Sequence, residues 1–169
     1  YYENIIFSGK NITVASLFVT TGSVQYISST IIDGSSPAHT DSASCVRIVN
    51  GETREAKLIG FTLTKGKGTR WLDEHGAGYY YEGGGILITL ASPQIGFNII
   101  TDNEAIRRTS GTQSAGGGGI RVGDGSPLIY NNIIMFNRGM YGGGIVSNYA
   151  DPVIRNNIIA HNRVYQAVA

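Results

Sequence analysis

Apolar residues fall in short runs, and the runs are punctuated by glycine, asparagine and proline. Nothing recurs at the 3.6-residue spacing of an amphipathic helix, and helix formers are scarce where Gly, Asn and β-branched residues dominate. The pattern predicts strands of three to five residues. Three segments align without a gap. Gly83-Gly84-Gly85-Ile86, Gly117-Gly118-Gly119-Ile120 and Gly142-Gly143-Gly144-Ile145 each lead, seven residues on, to Pro93, Pro127 and Pro152. After each proline the chain reads P-x-I-x-x-N-I-I-x-x-N: Ile95, Asn98, Ile99, Ile100, Asn103; then Ile129, Asn132, Ile133, Ile134, Asn137; then Ile154, Asn157, Ile158, Ile159, Asn162.

Fainter copies come earlier. "IGFTLTKG" (59–66) lines up by its letters with "IGFNIITD" (95–102), which puts Thr62 at the place of Asn98; "SSTIIDG" (28–34) puts Thr30 there and "GKNITV" (9–14) puts Asn11 there. The repeats predict an all-β solenoid, a single domain over residues 1–169, of about five to six coils. One such unit cannot bury its apolar face alone, and stacking hides it against the coils above and below. Equivalent residues then lie about 4.8 Å apart. An asparagine at a left-handed bend tolerates positive φ better than most residues. Its amide can also donate to the amide on one side and accept from the amide on the other. The expectation is a structural Asn/Thr ladder of Asn98, Asn132 and Asn157, with Thr62, Thr30 and Asn11 as its earlier rungs. The glycine tracts predict a corner too tight for side chains. Ile95, Ile129 and Ile154 are expected in the core, with at least one member of each following Ile pair. Alternation from Ile95 favours Ile99; a bend at Asn98 resets it and favours Ile100.

Composition narrows the class. Charged residues make up only 15% and the net charge is +1, so nothing draws the chain to nucleic acid. No apolar run is long enough to insert in a membrane as a helix. Cys45 is the sole cysteine, which excludes an internal disulfide, and reads as a small core residue. The chain does not begin with Met and shows no signal peptide, and it reads as a processed product or a piece of a longer protein.

"YYENIIFSGKNITVAS", "TIIDG", "GFTLTKG", "GGGI", "SPQIGFN" and "SPLIYNNII" resemble the bacterial right-handed parallel β-helix repeat proteins of the pectin-lyase-like superfamily. The resemblance covers nearly the whole chain and implies a right-handed parallel β-helix from a secreted or cell-surface protein. It also implies carbohydrate as the ligand class. The superfamily holds pectate lyases, polygalacturonases, alginate-modifying enzymes and phage tailspikes, so the fold alone does not give the activity.

Chemistry is expected where the repeat is interrupted. Residues 65–82 and 101–116 are long insertions on adjacent coils, beside the short link 137–141. Stacked, they form a wall. The first brings Arg70, Trp71, Asp73, Glu74, His75 and the run Tyr79, Tyr80, Tyr81; the second brings Arg107 and Arg108. Aromatic faces stack on sugar rings, and arginine forks suit carboxylates. Asp73, Glu74, Asp102 and Glu104 are the oxygen donors available to Ca2+, which takes six to eight ligands, although their spacing matches no known calcium loop. The N-T-D, D-D and G-H-G strings of polygalacturonases are absent. His161 shares its repeat position with Asp102 and Phe136 and is expected to face solvent.

Three functions follow as expectations. The first is a non-catalytic structural or adhesive module that binds polysaccharide along the wall. The second is a lyase or related carbohydrate-active enzyme acting on uronate glycans at the same wall. The third is a subunit that stacks end to end or side by side, because neither the start nor the tail (163–169) reads as a cap.

Overall fold

The computed structural model describes residues 1–165. The remainder of the tail, 166–169, lies outside the described residues. The chain forms five right-handed coils, each contributing one strand to each of three parallel sheets. The first sheet runs Ile5–Ile6, Val46–Ile48, Ile86–Thr89, Ile120–Gly123 and Ile145–Asn148. The second runs Thr13–Ala15, Lys57–Ile59, Gln94–Gly96, Leu128–Tyr130 and Val153–Arg155. The third runs Ile31–Asp33, Thr62–Thr64, Ile99–Thr101, Ile133–Met135 and Ile158–Ala160. A short fourth ribbon, Glu104–Ala105, Arg138–Gly139 and Arg163–Val164, closes the circuit toward the glycine tracts.

The core is a set of apolar columns, one residue per coil. Leu58, Ile95 and Ile129 form one, and Ile32, Leu63, Ile100 and Ile134 another, all fully or almost fully buried. Ile100 and Ile134 are therefore the inward members of their pairs, as a bend between the second-sheet and third-sheet strands requires. In the fifth coil the same columns are open: Ile154 is 42% and Ile159 49% exposed.

The ladder exists, but in a register that differs by one from the letter alignment in the second coil. Ile59 faces Gly96 and Thr62 faces Ile99, so Phe61 stands in the Asn98 column. Alignment on the shared "IGF" is overruled by the core. A slip of one residue would turn Leu58 and Leu63 out toward solvent. Thr62 instead donates its hydroxyl to Ile27 O at 2.8 Å. Thr30 does stand in the column, since Ile31 pairs with Thr62, but Phe61 next to it has no side-chain amide to offer. Asn11 is not a rung. It precedes the second-sheet strand rather than following it, is exposed, and accepts from Thr53 N–H at 2.8 Å.

The rungs that remain are uniform. Asn98 N–H and Nδ2 both donate to Asn132 Oδ1 at 2.9 and 3.1 Å. Asn132 repeats this to Asn157 at 2.9 and 3.0 Å. Phe61 N–H closes the top of the column on Asn98 Oδ1 at 3.0 Å. A second ladder lies five residues on. Asn103 donates to Asn137 and Asn137 to Asn162, with Gly66 N–H at the head. The left-handed residue is the one before each rung, not the rung itself: Phe97, Asn131 and Asn156 take φ of 54–56°, and Asp102, Phe136 and His161 take 54–57°. Each bend turns the next side chain inward, where its amide meets its copies.

Each glycine tract spends its three residues differently. Gly83, Gly117 and Gly142 combine φ of 60–64° with a lack of room, whereas the second and third glycines are fixed by the lack of room alone. A Cβ on Gly118 would lie 2.2 Å from Arg138 O, and one on Gly119 2.6 Å from Gly144 O. Two short helices, Phe18–Thr21 and Gln25–Ser29, break the all-strand expectation. The first ends on Gly22, whose φ of 71° lets its N–H return to Phe18 O.

Candidate functional site

The two long insertions do not form a wall of irregular loops. Gly68–Leu72 and Tyr79–Glu82 make an antiparallel hairpin, with Trp71 opposite Tyr80 and Thr69 opposite Glu82. Ser42–Ala43 joins one edge and Thr112–Gly116 the other, giving a lateral four-stranded sheet beside the solenoid. Strand alternation then sorts the hairpin's side chains into two sets. Trp71, Tyr80 and Glu82 share one face; Arg70, Tyr79 and Tyr81 share the other.

The second set is largely structural. Tyr81 is fully buried, its hydroxyl donates to Asp41, and the Arg108 guanidinium lies 4.0 Å from its ring centre. Arg108 also donates to the carbonyls of Thr40, Lys67 and Gly68. Those bonds occupy the fork that could otherwise hold a ligand carboxylate. Arg70 covers the Tyr79 ring at 3.6 Å. Arg107 is exposed and outside the cleft described next.

Tyr80 and Glu82 of the first set face a cleft of about 580 Å3 between the hairpin and the outer face of the first sheet. At its base, Arg121 Nε meets Glu82 Oε1 at 2.9 Å, and the two side chains are only 3% and 5% exposed. Tyr141 OH donates to the same oxygen at 2.5 Å. The repeat explains how Tyr141 reaches. Glu82, Gly116 and Tyr141 each precede a glycine tract and form one column, and the tyrosine ring lies where a Cβ on Gly116 would be. A glycine in the middle coil thus lets a side chain cross to the coil beyond it. Burial pushes the Glu82 carboxyl above its ordinary value of 4.5, against the opposing pull of Arg121 and Tyr141. Burial and the neighbouring carboxylate push the Tyr141 phenol up as well, so it stays protonated.

The mouth is built by the hairpin tip. Asp73 Oδ1 accepts from the N–H groups of His75 and Ala77 at 2.9 and 3.1 Å and shapes the turn. His75 Nε2 lies 2.9 Å from Asp124, and its ring stacks on Tyr149 at 3.9 Å. Tyr80 meets Tyr141 edge to face at 6.4 Å. Trp71 Nε1 donates to Glu74 Oε1 at 2.5 Å, and Thr89 donates its hydroxyl to that oxygen too, which pins the indole against the sheet.

The sequence-predicted residues therefore separate. Asp73, His75 and Tyr80 line the cleft; Trp71 and Glu74 brace the hairpin; Tyr81 belongs to a second small core, and Arg108 lies over its ring. The four carboxylates considered for Ca2+ do not converge. Asp73 and Glu74 are bonded at the hairpin, while Asp102 and Glu104 line a different groove. Among the described residues no three metal-ligating side chains cluster. Arg121, Tyr141 and Tyr149 were not candidates from sequence, and Glu82 stood at the end of the first insertion without an assigned role. For Glu82 and Tyr141 a signal was present: each directly precedes a glycine tract, as Gly116 does.

No curated protein and no solved structure matches the chain. A family model described as Protein of unknown function (DUF1565) matches residues 6–168. That match spans almost every residue of the five coils and the hairpin alike, and the chain belongs to the DUF1565 family.

Proposed function

We propose that the chain is a non-catalytic β-solenoid module of a secreted or cell-surface protein, related to the pectin-lyase-like superfamily, that holds a polysaccharide in the hairpin cleft. The observation that carries this reading is the composition of the cleft. Tyr80, Tyr141 and Tyr149 supply flat apolar surface, and the polar groups among them are fixed in advance by bonds to one another. Preorganised donors and acceptors around aromatic faces suit a neutral, hydroxyl-rich ligand. The carboxylates in and beside the cleft are committed: Glu82 to Arg121 and Tyr141, Asp73 to the N–H groups of His75 and Ala77, Asp124 to His75, Glu74 to Trp71 and Thr89. That favours binding over acid–base chemistry.

One observation favours the second reading, a carbohydrate-active enzyme using the same cleft. Glu82 holds its proton more tightly than an ordinary glutamate, as a general acid does. A glycan array on the protein, followed by titration of each hit, tests the first reading. Tyr80→Ala and Tyr149→Ala should each weaken binding about tenfold while leaving the circular dichroism unchanged. Binding that survives both substitutions moves the site elsewhere. Appearance of an unsaturated, ultraviolet-absorbing product from pectate or alginate would replace the non-catalytic reading with a lyase.

A further inference from the structure

A second groove, of about 250 Å3, opens on the short ribbon and shares no residue with the cleft. Its chemistry follows from stacking. The bonds from Glu104 N–H to Gly66 O, Arg138 N–H to Asn103 O and Arg163 N–H to Asn137 O repeat one step, at 2.9 Å each. They place Lys67, Glu104, Arg138 and Arg163 one above another, about 4.8 Å apart. Glu104 sits between two cations and pairs with both: Lys67 at 3.0 Å and Arg138 at 3.4 Å. The alternation stops there. Arg163 stands directly next to Arg138 in register, with no carboxylate paired to it among the described residues. Like charges directly opposite on neighbouring strands repel. The column beside it runs Asp102, Phe136 and His161 at the left-handed bends, and the Phe136 and His161 rings stack at 5.4 Å with 13° between their planes. The groove therefore has two arginine forks on one side and a flat ring pair on the other.

We infer that this groove is a binding site for a tetrahedral oxyanion, a phosphate or sulfate group, held between Arg138 and Arg163. Two guanidinium forks a strand apart match the oxygens of such a group. The anion removes the repulsion that the register imposes. It takes on Arg138 and Arg163 the place that Glu104 takes between Lys67 and Arg138. The ring pair offers a platform to a sugar that carries the group as an ester. A volume just below that of drug-sized sites, roughly 300 Å3 and up, admits one such unit and not a chain. The inference does not depend on glycan binding in the cleft.

Calorimetric titration with inorganic phosphate, inorganic sulfate and glucose 6-phosphate, at ionic strength held constant with chloride, tests it. The tetrahedral anions should bind at one site per chain. Arg163→Gln and Arg138→Gln should each weaken them about tenfold. Arg155→Gln, which removes an exposed cation outside the groove, should leave binding unchanged. Tighter binding of the sugar ester than of the free ion identifies an ester-bearing ligand; equal binding identifies the free ion. The inference is overturned if no tetrahedral anion binds beyond chloride, or if Arg163→Gln and Arg138→Gln bind as the parent does. Both arginines are exposed, so neither variant should fail to fold.

Discussion

Asn131 and Asn132 are neighbours with opposite duties. Asn131 supplies the bend, with φ of 54° and its side chain partly exposed. Asn132 supplies the rung, and its amide takes two bonds from Asn98 and gives one each to Ile95 O and Asn157. Removing the rung leaves several buried groups without partners, at about 1–3 kcal/mol each. Asn132→Ala should therefore destabilise the fold by about 3 kcal/mol or more. Asn131→Gly removes only a backbone strain of about 1–2 kcal/mol, offset by glycine's greater unfolded freedom, and should be close to neutral. Urea titration of the pair checks this, and equal losses would contradict the division of labour. The residue type was legible in the sequence, because asparagine recurs at fixed offsets. Which asparagine bonds was legible too, since Asn98, Asn132 and Asn157 recur in all three clear copies; that the bend falls one residue before the rung was not, since either role accepts the same letter. The earlier rungs misled for a related reason. Thr62 shares its letter context with Asn98, but core burial of Leu58 and Leu63 sets the register.

The hairpin of residues 68–82 is the element that departs from the repeat, and its attachment rests on Glu82, Arg121 and Tyr141. Removing one partner of a buried ion pair strands the other charge. Glu82→Ala should cost about 3–5 kcal/mol, and Tyr141→Phe, which loses one hydrogen bond, about 1–2 kcal/mol. The pH dependence has a definite sign. Because burial raises the Glu82 carboxyl above 4.5, the folded state keeps a proton that the unfolded chain has already released. Stability from this group therefore falls as pH rises from 4.5 through the raised value, and is level above it. The stability difference between the parent and Glu82→Gln, measured by urea titration across that window, should change in this direction; a constant difference would contradict it. That the long insertions gather aromatic and charged side chains was readable from their composition. That they pair into a sheet was not, because strand partners far apart in sequence leave no local mark. Tyr79, Tyr80 and Tyr81 read alike as letters, yet alternation sends Tyr80 to the cleft and buries Tyr81 completely.

At the scale of the molecule, stability is shared between coils through the two ladders and the apolar columns. Cys45 reports on this directly. Its thiol is fully buried, donates to Thr64 O at 3.2 Å, and is pushed up to about 12 by that burial. A thiol reagent at neutral pH should modify it only as fast as the stack opens, and Asn132→Ala should speed the reaction; labelling at the rate of a free thiol would contradict a closed core. The solenoid itself was legible because identical coils print their period in the sequence. The short helices at Phe18–Thr21 and Gln25–Ser29 were not, because they lie in the first coil, where the period is faintest. The most direct test of the whole account is side-chain amide hydrogen exchange by nuclear magnetic resonance. The Nδ2 protons of Asn98, Asn103, Asn132 and Asn137, each bonded to the next coil, should exchange only with global unfolding, while those of Asn131 and Asn156 exchange freely. Free exchange at the four rungs would mean that the asparagines do not stack, and that the coils are not joined as described.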